Sequence, residues 1–492
     1  MDVRGRRLRK QSDDVTAFTS SMAFDGQIAA VVIKVNMAHM VSLVEEAEVD
    51  AKVGSKCLGF LAHASPSITP GTLAEDYHQL LEQQAVDSVG IETAGYLNLG
   101  KSRNDQVATA IRMRMRERIA ELLSAIAGLQ RTLLNVATKH GNTMVPGYTH
   151  VQRAQPITLG HHYLAYFDAF QRDAERLRQL YARVNVSPMG SAALGGTSVK
   201  VDRERVGELL GFDSITGNAM DSVASRDLAS EALACAAITM VDVSRVSEEF
   251  VLWSSKEFGF VEISDAYATS SSIMPQKKNP VVAEVARSKF GSVLGALVAA
   301  LSISKSLPFS YNMDLQEITV HLWRGFDDTV GSVKMIDGML GTSRFNVEAI
   351  SDSMKNDLST ATALANYLVE KHGVSFRQAH AIVGELVRAS IAERVPLEVA
   401  TAKHIRPISA KLAKRVEMDE RTARAILDPA SFLASIRTKG GSNPKFITAE
   451  VRTRSLQLKS SVDALARIRT SLKESDRLLA TTVNRMARGV RG

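Results

Sequence analysis

Apolar residues recur at helical spacing through three long stretches of this chain. Between residues 101 and 140, Ile111, Met115, Ile119, Leu122, Ile126, Leu129, Leu133 and Val136 follow the i, i+3, i+4, i+7 rule and share one stripe. Gly128 interrupts the pattern once, at about 1 kcal/mol, too little to end a long helix. Residues 219–257 contain neither Gly nor Pro. There Val223, Leu228, Leu233, Ile238, Val241, Val246, Phe250 and Trp253 keep the period, and Gly259 is the expected stop. Residues 281–306 repeat it with Val285, Phe290, Val293, Leu297 and Leu301. Gly291, Gly295 and Ala296 are small enough there for close helix–helix approach. Helices of roughly 40 residues would span about 60 Å at 1.5 Å per residue. That exceeds a compact domain and predicts a long bundle whose apolar stripes need partners, expected to be other copies of the chain.

At 492 residues the chain has length for about three domains. Pro- and Gly-rich breaks at Ser65–Gly71, Pro146-Gly147 and Lys439–Pro444 punctuate it. The expected division is an N-terminal helical domain at 1–100, a central long-helix bundle at 101–345 and a C-terminal helical domain at 346–492. Hydrophobic content is 45%, charged content 23% and aromatic content only 5%, which favours packed helices and an all-α class. The formal charge of +7 suits an anionic small-molecule substrate. With no Cys/His finger spacing and no aromatic-basic platform, no nucleic-acid partner is expected. The basic Arg4–Lys10 cluster and the Arg485–Arg491 tail read as solvated termini. The two cysteines, Cys57 and Cys235, exclude a disulfide scaffold and fit a reducing, cytoplasmic setting. The charged start lacks the apolar region of a secretory signal. No uninterrupted apolar run approaches ~20 residues, so no membrane span is expected.

Three polar clusters carry candidate chemistry. Gly100-Lys-Ser-Arg-Asn-Asp-Gln106 opens the first long helix, where free N–H groups and a partial positive charge favour anions. Arg103 adds a fork that matches a carboxylate. Gly147-Tyr-Thr-His-Val-Gln-Arg-Ala-Gln-Pro156 places Thr149 and His150 side by side after a Pro-Gly turn, just before another helix. Thr269-Ser-Ser-Ser-Ile-Met-Pro-Gln-Lys-Lys-Asn-Pro280, followed by Val-Val-Ala-Glu284, combines hydroxyls, a Met-Pro break, two lysines and an asparagine. These are the parts of a mobile anion-binding loop.

The last cluster resembles the signature of the fumarase/aspartase superfamily, and its Gln-Lys-Lys-Asn form resembles the argininosuccinate lyase branch. The other two occur in that family's order and spacing. So do Thr19–Asp25, Ser187–Thr197, Asn218–Asp227, Trp253–Phe258, Tyr311–Glu317, Ser359–Leu368 and His380–Gly384, covering about residues 16 to 468. The resemblance implies an all-α homotetramer with each active site assembled from three subunits. It implies no metal and no organic cofactor. It implies Ser271 as catalytic base with Ser272 beside it, and His150 as acid or proton relay paired to Glu284. It further implies that Ser102, Arg103, Asn104, Thr149, Lys277 and Asn279 hold the succinyl carboxylates. Ser21, Asp25, Tyr311 and Gln316 would contact the amine portion.

Such a reaction removes a weakly acidic Cβ proton next to a carboxylate, stabilises the resulting dianion and protonates the departing nitrogen. Ser271 can act as base only if its alkoxide is stabilised by Lys277, backbone N–H groups or a helix end. Lys277 and Asn279 are also donors to the developing aci-carboxylate, worth about 3–4 kcal/mol for one preorganised group. His150 can supply the leaving-group proton directly or through water, oriented by Glu284. Loop closure would exclude water.

The chain departs from the family pattern at several positions. Ser270 replaces the Gly before the serine pair, Val281 the Asp after Asn-Pro, Asn98-Leu99 a His-Thr, and Lys101 an Arg. Ile318-Thr319 stands where the family has Asp-Lys, and the N-terminal Trp-Gly-Gly-Arg-Phe is absent. That family lysine holds the amino-acid end of the arginine portion, so Thr319 bears on the amine half alone. The expected activity is anti elimination of argininosuccinate to arginine and fumarate. One alternative is a fumarate-releasing lyase for another N-substituted aspartate. Another is an inactive scaffold protein, as in lens delta crystallins. The last ~25 residues extend past the family's usual end without an assigned role.

Overall fold

The computed structural model describes residues 12–355 and 357–489. The Arg4–Lys10 cluster and Arg491 lie outside them. The described residues are predominantly helical, with only two-stranded ladders beside the helices. The expected all-α class is what is found. The helices that position the site are α1 (Ala29–Glu45), α2 (Ala51–His63), α3 (Tyr77–Val89), α4 (Arg103–Lys139), α5 (Leu159–Val184), α6 (Asp227–Trp253), α7 (Val281–Ser304) and α8 (Asp314–Thr342). Four shorter helices follow, α9 (Ala361–His372), α10 (Phe376–Glu393), α11 (Leu397–Leu412) and α12 (Glu420–Leu427), and then α13 (Pro444–Ala487).

Helices α4 to α8 form the bundle. Helix α4 packs on α5 and α8, and α6 packs on α7, α8 and α5. The expected stripe of α4 is its core face, with Met115, Ile119, Leu122, Ile126, Leu129 and Leu133 all buried. Its 37 residues run about 55 Å at 1.5 Å each. Gly128 lies where α4 meets α8: a Cβ there would sit 3.0 Å from Asp337 Oδ2, whose Oδ1 accepts from Thr132 Oγ1 at 2.5 Å. The glycine therefore lets two long helices approach at a polar contact.

Two expectations change. The stretch 219–257 is not one helix. It divides into Ala219–Ala224 and α6 because Ser225 takes extended backbone (φ −62°, ψ 116°) and its Oγ accepts from Arg112 Nη2 at 2.9 Å. Arg226 then turns into the interior, where it is 5% exposed. No Gly or Pro announces this break; a buried arginine pair makes it. Second, the expected stripe of α7 is not its buried face, since Val285 and Leu301 are exposed; by length and composition alone the helix is apolar enough to cross a membrane. It packs between α6 and α8, with Ala283, Ala286, Val293, Ala296 and Ala300 as its buried face.

Buried apolar side chains form two clusters. The larger joins α1–α8 with Leu458, Leu465, Leu479 and Val483 of α13; the smaller holds α9–α12. Helix α13, 44 residues long, thus runs back along α4 and α2. Lys34 pairs with Asp476 at 2.6 Å, and Ser55 Oγ donates to the carbonyl of Ala487 at 2.8 Å. The extension left without a role by the sequence is a brace between the first helices and the bundle.

Asp173 on α5 gives the fold a pH dependence. Its Oδ1 accepts from Arg176 at 3.0 Å, and its Oδ2 has no partner among the described residues. Burial, with Asp242 opposite, pushes its carboxyl up to about 7 against the pull of Arg176 and Arg172. A raised acid is bound to its proton more tightly folded than unfolded. Its contribution is complete below about pH 4 and is lost as pH rises through about 7. Asp173→Asn is therefore expected to gain stability over the wild type between pH 5 and pH 8, on the order of a few kcal/mol at most. Thermal melts at the two pH values check this; a pH-independent difference contradicts it.

Candidate active site

The N-terminal segment, the start of α4 and the start of α8 enclose a cavity of about 440 Å³. Its lining includes Ser21, Asp25, Ser102, Arg103, Asn104, Tyr311 and Gln316 from the sequence reading, and also Thr319. A larger cavity of about 780 Å³, bordered by α4, α11 and α13, contains none of the expected site residues.

The start of α4 is a capping box. Ser102 Oγ accepts from the backbone N–H of Asn104 at 3.3 Å, and Asp105 Oδ1 accepts from Ser102 N–H at 3.0 Å. Buried Asp105 reaches further, since its Oδ2 accepts from the N–H groups of Gly190 at 3.1 Å and Ala192 at 2.8 Å. One carboxylate thus joins the first motif to the Ser187–Thr197 stretch, and Asn104 Nδ2 adds a bond to the carbonyl of Ala193 at 3.0 Å. Asp105→Ala removes three charge-assisted bonds and is expected to cost roughly 3–5 kcal/mol. It should also displace Arg103. Urea unfolding measures the loss; a change below about 1 kcal/mol would contradict this reading.

Arg103 stands beside two carboxylates, Asp76 at 3.2 Å and Glu82 at 3.8 Å. Asp76 caps α3 by accepting from Gln79 N–H at 2.7 Å. Asp25 is buried, and its Oδ2 accepts from Ser21 Oγ at 2.9 Å and from Tyr77 N–H at 2.8 Å. Burial pushes its carboxyl up to about 6, and a cation beside it would restore the carboxylate. Gln316 Nε2 donates to the carbonyl of Thr19 at 3.0 Å, closing the N-terminal segment onto α8. Lys101 Nζ donates to Asn36 Oδ1, and burial brings its ammonium down to about 7.

The remaining motif residues stand elsewhere on the chain. The second motif is a β-hairpin of β1 (Met144–Thr149) and β2 (Gln152–Thr158); α5 follows only after β2. His150 and Val151 form its two-residue turn, at φ 55° and 58°. Left-handed backbone at a β-branched Val is costly and marks a strained tip. His150 is exposed, and among the described residues it has neither a hydrogen bond nor an ion pair with Glu284. Thr149 is exposed beside it and borders a separate cavity with Tyr148 and Trp253.

The third motif is also a hairpin. Strands β3 (Thr269–Ser270) and β4 (Lys278–Asn279) pair, and Lys278 binds Asp265 at 2.6 Å at its base. Ser270 lies in this strand backbone, where a side chain is tolerated, so its replacement of a glycine causes no strain. In the loop, Ser271 Oγ accepts from the N–H groups of Met274 at 3.1 Å and Ile273 at 3.4 Å. Ser272 and Lys277 are exposed, Asn279 is half-buried in β4, and Glu284 is exposed in the first turn of α7. Within one chain, the cavity that gathers seven of the expected residues and the surfaces carrying Ser271 and His150 are separate.

Asp76, Glu82 and Arg226 were not singled out for the cavity by sequence reasoning. Glu75-Asp76-Tyr77-His78 is a polar run after a Pro-Gly loop, which is a weak signal. Arg226 lies within the family-like Asn218–Asp227 stretch, the one signal that could have found it.

The lyase family model matches residues 6–295, and the argininosuccinate lyase C-terminal model matches residues 358–434. The chain belongs to the argininosuccinate lyase family of the fumarase/aspartase superfamily. Argininosuccinate lyase of Methanoculleus marisnigri is 44% identical over 451 residues, 91% of each chain. That of Methanocorpusculum labreanum is 38% identical over 98% of each. Among solved structures, EDDS lyase in complex with formate superposes with a TM-score of 0.89 at 26% identity, covering 98% of this chain and 97% of that one. The 440 Å³ cavity brings the Ser102–Asn104 run together with Ser21, Asp25, Tyr311 and Gln316.

Proposed function

We propose that the chain is an argininosuccinate lyase, cleaving argininosuccinate to L-arginine and fumarate by anti elimination. The observation that carries this is the cavity in which Ser102-Arg103-Asn104 face Asp25, Tyr311 and Gln316, in a chain 44% identical to an argininosuccinate lyase. The succinyl carboxylates lie at the α4 start with Thr149, Lys277 and Asn279, and the guanidinium end lies toward Asp25. Ser271 takes the Cβ proton, and the electron pair forms the fumarate double bond. The C–N bond breaks, and the nitrogen receives a proton from His150, directly or through water. The N–H groups of Met274 and Ile273 already point at Ser271 Oγ, which is the arrangement an alkoxide needs.

The separation of these groups within one chain supports a site shared between copies. So does α7, whose Val285, Val298 and Leu301 are 47%, 55% and 54% exposed on the face turned from the bundle. A homotetramer would cover this face and bring His150, Glu284 and the Ser271 loop of other copies to the cavity. The setting is the cytoplasm.

Thr319 supports a second reading, a lyase for a different N-substituted aspartate. It is buried in the cavity wall and uncharged where the family has lysine. A panel of N-substituted aspartates followed by fumarate absorbance separates the two. The first reading expects argininosuccinate to have the highest kcat/KM. A higher value for another amine would replace it.

A further inference from the structure

Arg226 carries a role that the mechanism leaves open. It is 5% exposed and lies in the cavity wall with Tyr311, Gln316 and Thr319. Its Nη1 is held by the backbone carbonyls of Ser225 at 3.1 Å and Val223 at 3.4 Å. Its Nε and Nη2 have no hydrogen-bond partner among the described residues. Those two nitrogens form the guanidinium edge that accepts a carboxylate side-on in two parallel bonds.

The electrostatic surroundings sharpen this. Burial is the main influence on Arg226 and brings it down to about 10, so it stays charged at neutral pH. Arg112 nearby adds like charge, while the Tyr311 phenol is the polar group facing it. Arg112 itself has Asp227 and Asp221 close by. A buried cation with two unpartnered donors and, among the described residues, no counter-ion calls for an anion from outside.

The amine portion of argininosuccinate has one anionic group, its α-carboxylate. Thr319 offers no charge to it, and Arg103 stands at the α4 start, which the proposed function gives to the succinyl carboxylates. We infer that Arg226 binds the α-carboxylate of the arginine portion, through Nε and Nη2, next to Tyr311. This inference rests on the argininosuccinate reading and adds the residue that selects an amino acid as the amine.

Product inhibition tests it. L-Arginine, agmatine (the same amine without its carboxylate) and fumarate are compared as inhibitors of the wild type, Arg226→Gln and Arg226→Lys. Arg226→Gln is expected to weaken arginine roughly 10- to 100-fold and leave agmatine and fumarate unchanged. Arg226→Lys, which keeps the charge but not the fork, falls between. Thermal melts accompany each variant, and Arg226→Gln should not lose stability, because an unpaired buried charge is removed. Unchanged arginine inhibition, or equal weakening of all three ligands with a lower Tm, overturns the inference in favour of a structural guanidinium. Calorimetric titration of arginine and agmatine makes the same comparison without turnover. Failure of Arg226 would leave fumarate release intact, whereas failure of the argininosuccinate reading would leave none.

Discussion

Ser271→Ala is expected to lower kcat for fumarate release by roughly 10²- to 10⁴-fold while KM changes little. The hydroxyl is the only group of Ser271 that could take a proton, and two backbone N–H groups already converge on it. Alanine leaves those N–H groups without an oxygen and the Cβ proton without its base. The loop is solvent-exposed around Ile273 and Lys277, so the fold should lose no more than about 1 kcal/mol. Unchanged circular dichroism and Tm, with turnover lost, distinguish a missing base from a damaged loop. Should the variant keep activity within about tenfold of the wild type, the base lies elsewhere, and His150 becomes the group to test.

Charging the outer face of α7 should abolish activity by a different route. Val298→Asp with Leu301→Asp puts two carboxylates on a helix face that is apolar and uncovered in one chain. Burying each unpaired charge between copies would cost several kcal/mol, enough to separate most assemblies. Light scattering should show a smaller particle with intact helical signal and no fumarate release. Mixing His150→Asn with Arg103→Ala, each inactive alone, should then restore part of the activity after reassembly, because the two residues would come from different copies at one site. A wild type that is monomeric and active would remove the shared site altogether.

The sequence revealed the bundle through the helical period of α4, whose stripe is its buried face, whereas in α7 the period marked a helix but not the face it buries. It did not reveal the break at Ser225-Arg226, because a buried arginine held by main-chain carbonyls leaves no mark on hydrophobic periodicity. It assigned α13 to the C-terminal unit from chain order, whereas Leu465, Leu479 and Val483 pack with the larger cluster. The two hairpins were read as loops before helices. His-Val is not a turn-forming pair, and only the ladder geometry forces it into left-handed backbone. Of the contiguous motifs, Ser102–Asn104 lines the cavity, whereas Ser271–Asn279 stands in a separate hairpin of the same chain. Asp76, Glu82 and Arg226 reach the cavity from separate segments through tertiary packing, which spacing along the chain does not encode.

The most direct test follows fumarate absorbance and L-arginine together after adding pure protein to argininosuccinate, with Ser271→Ala in parallel. Equal amounts of both products from the wild type, and neither from the variant, are the expected result. No fumarate from argininosuccinate with a folded, assembled protein would contradict the assignment and move the weight to another N-substituted aspartate.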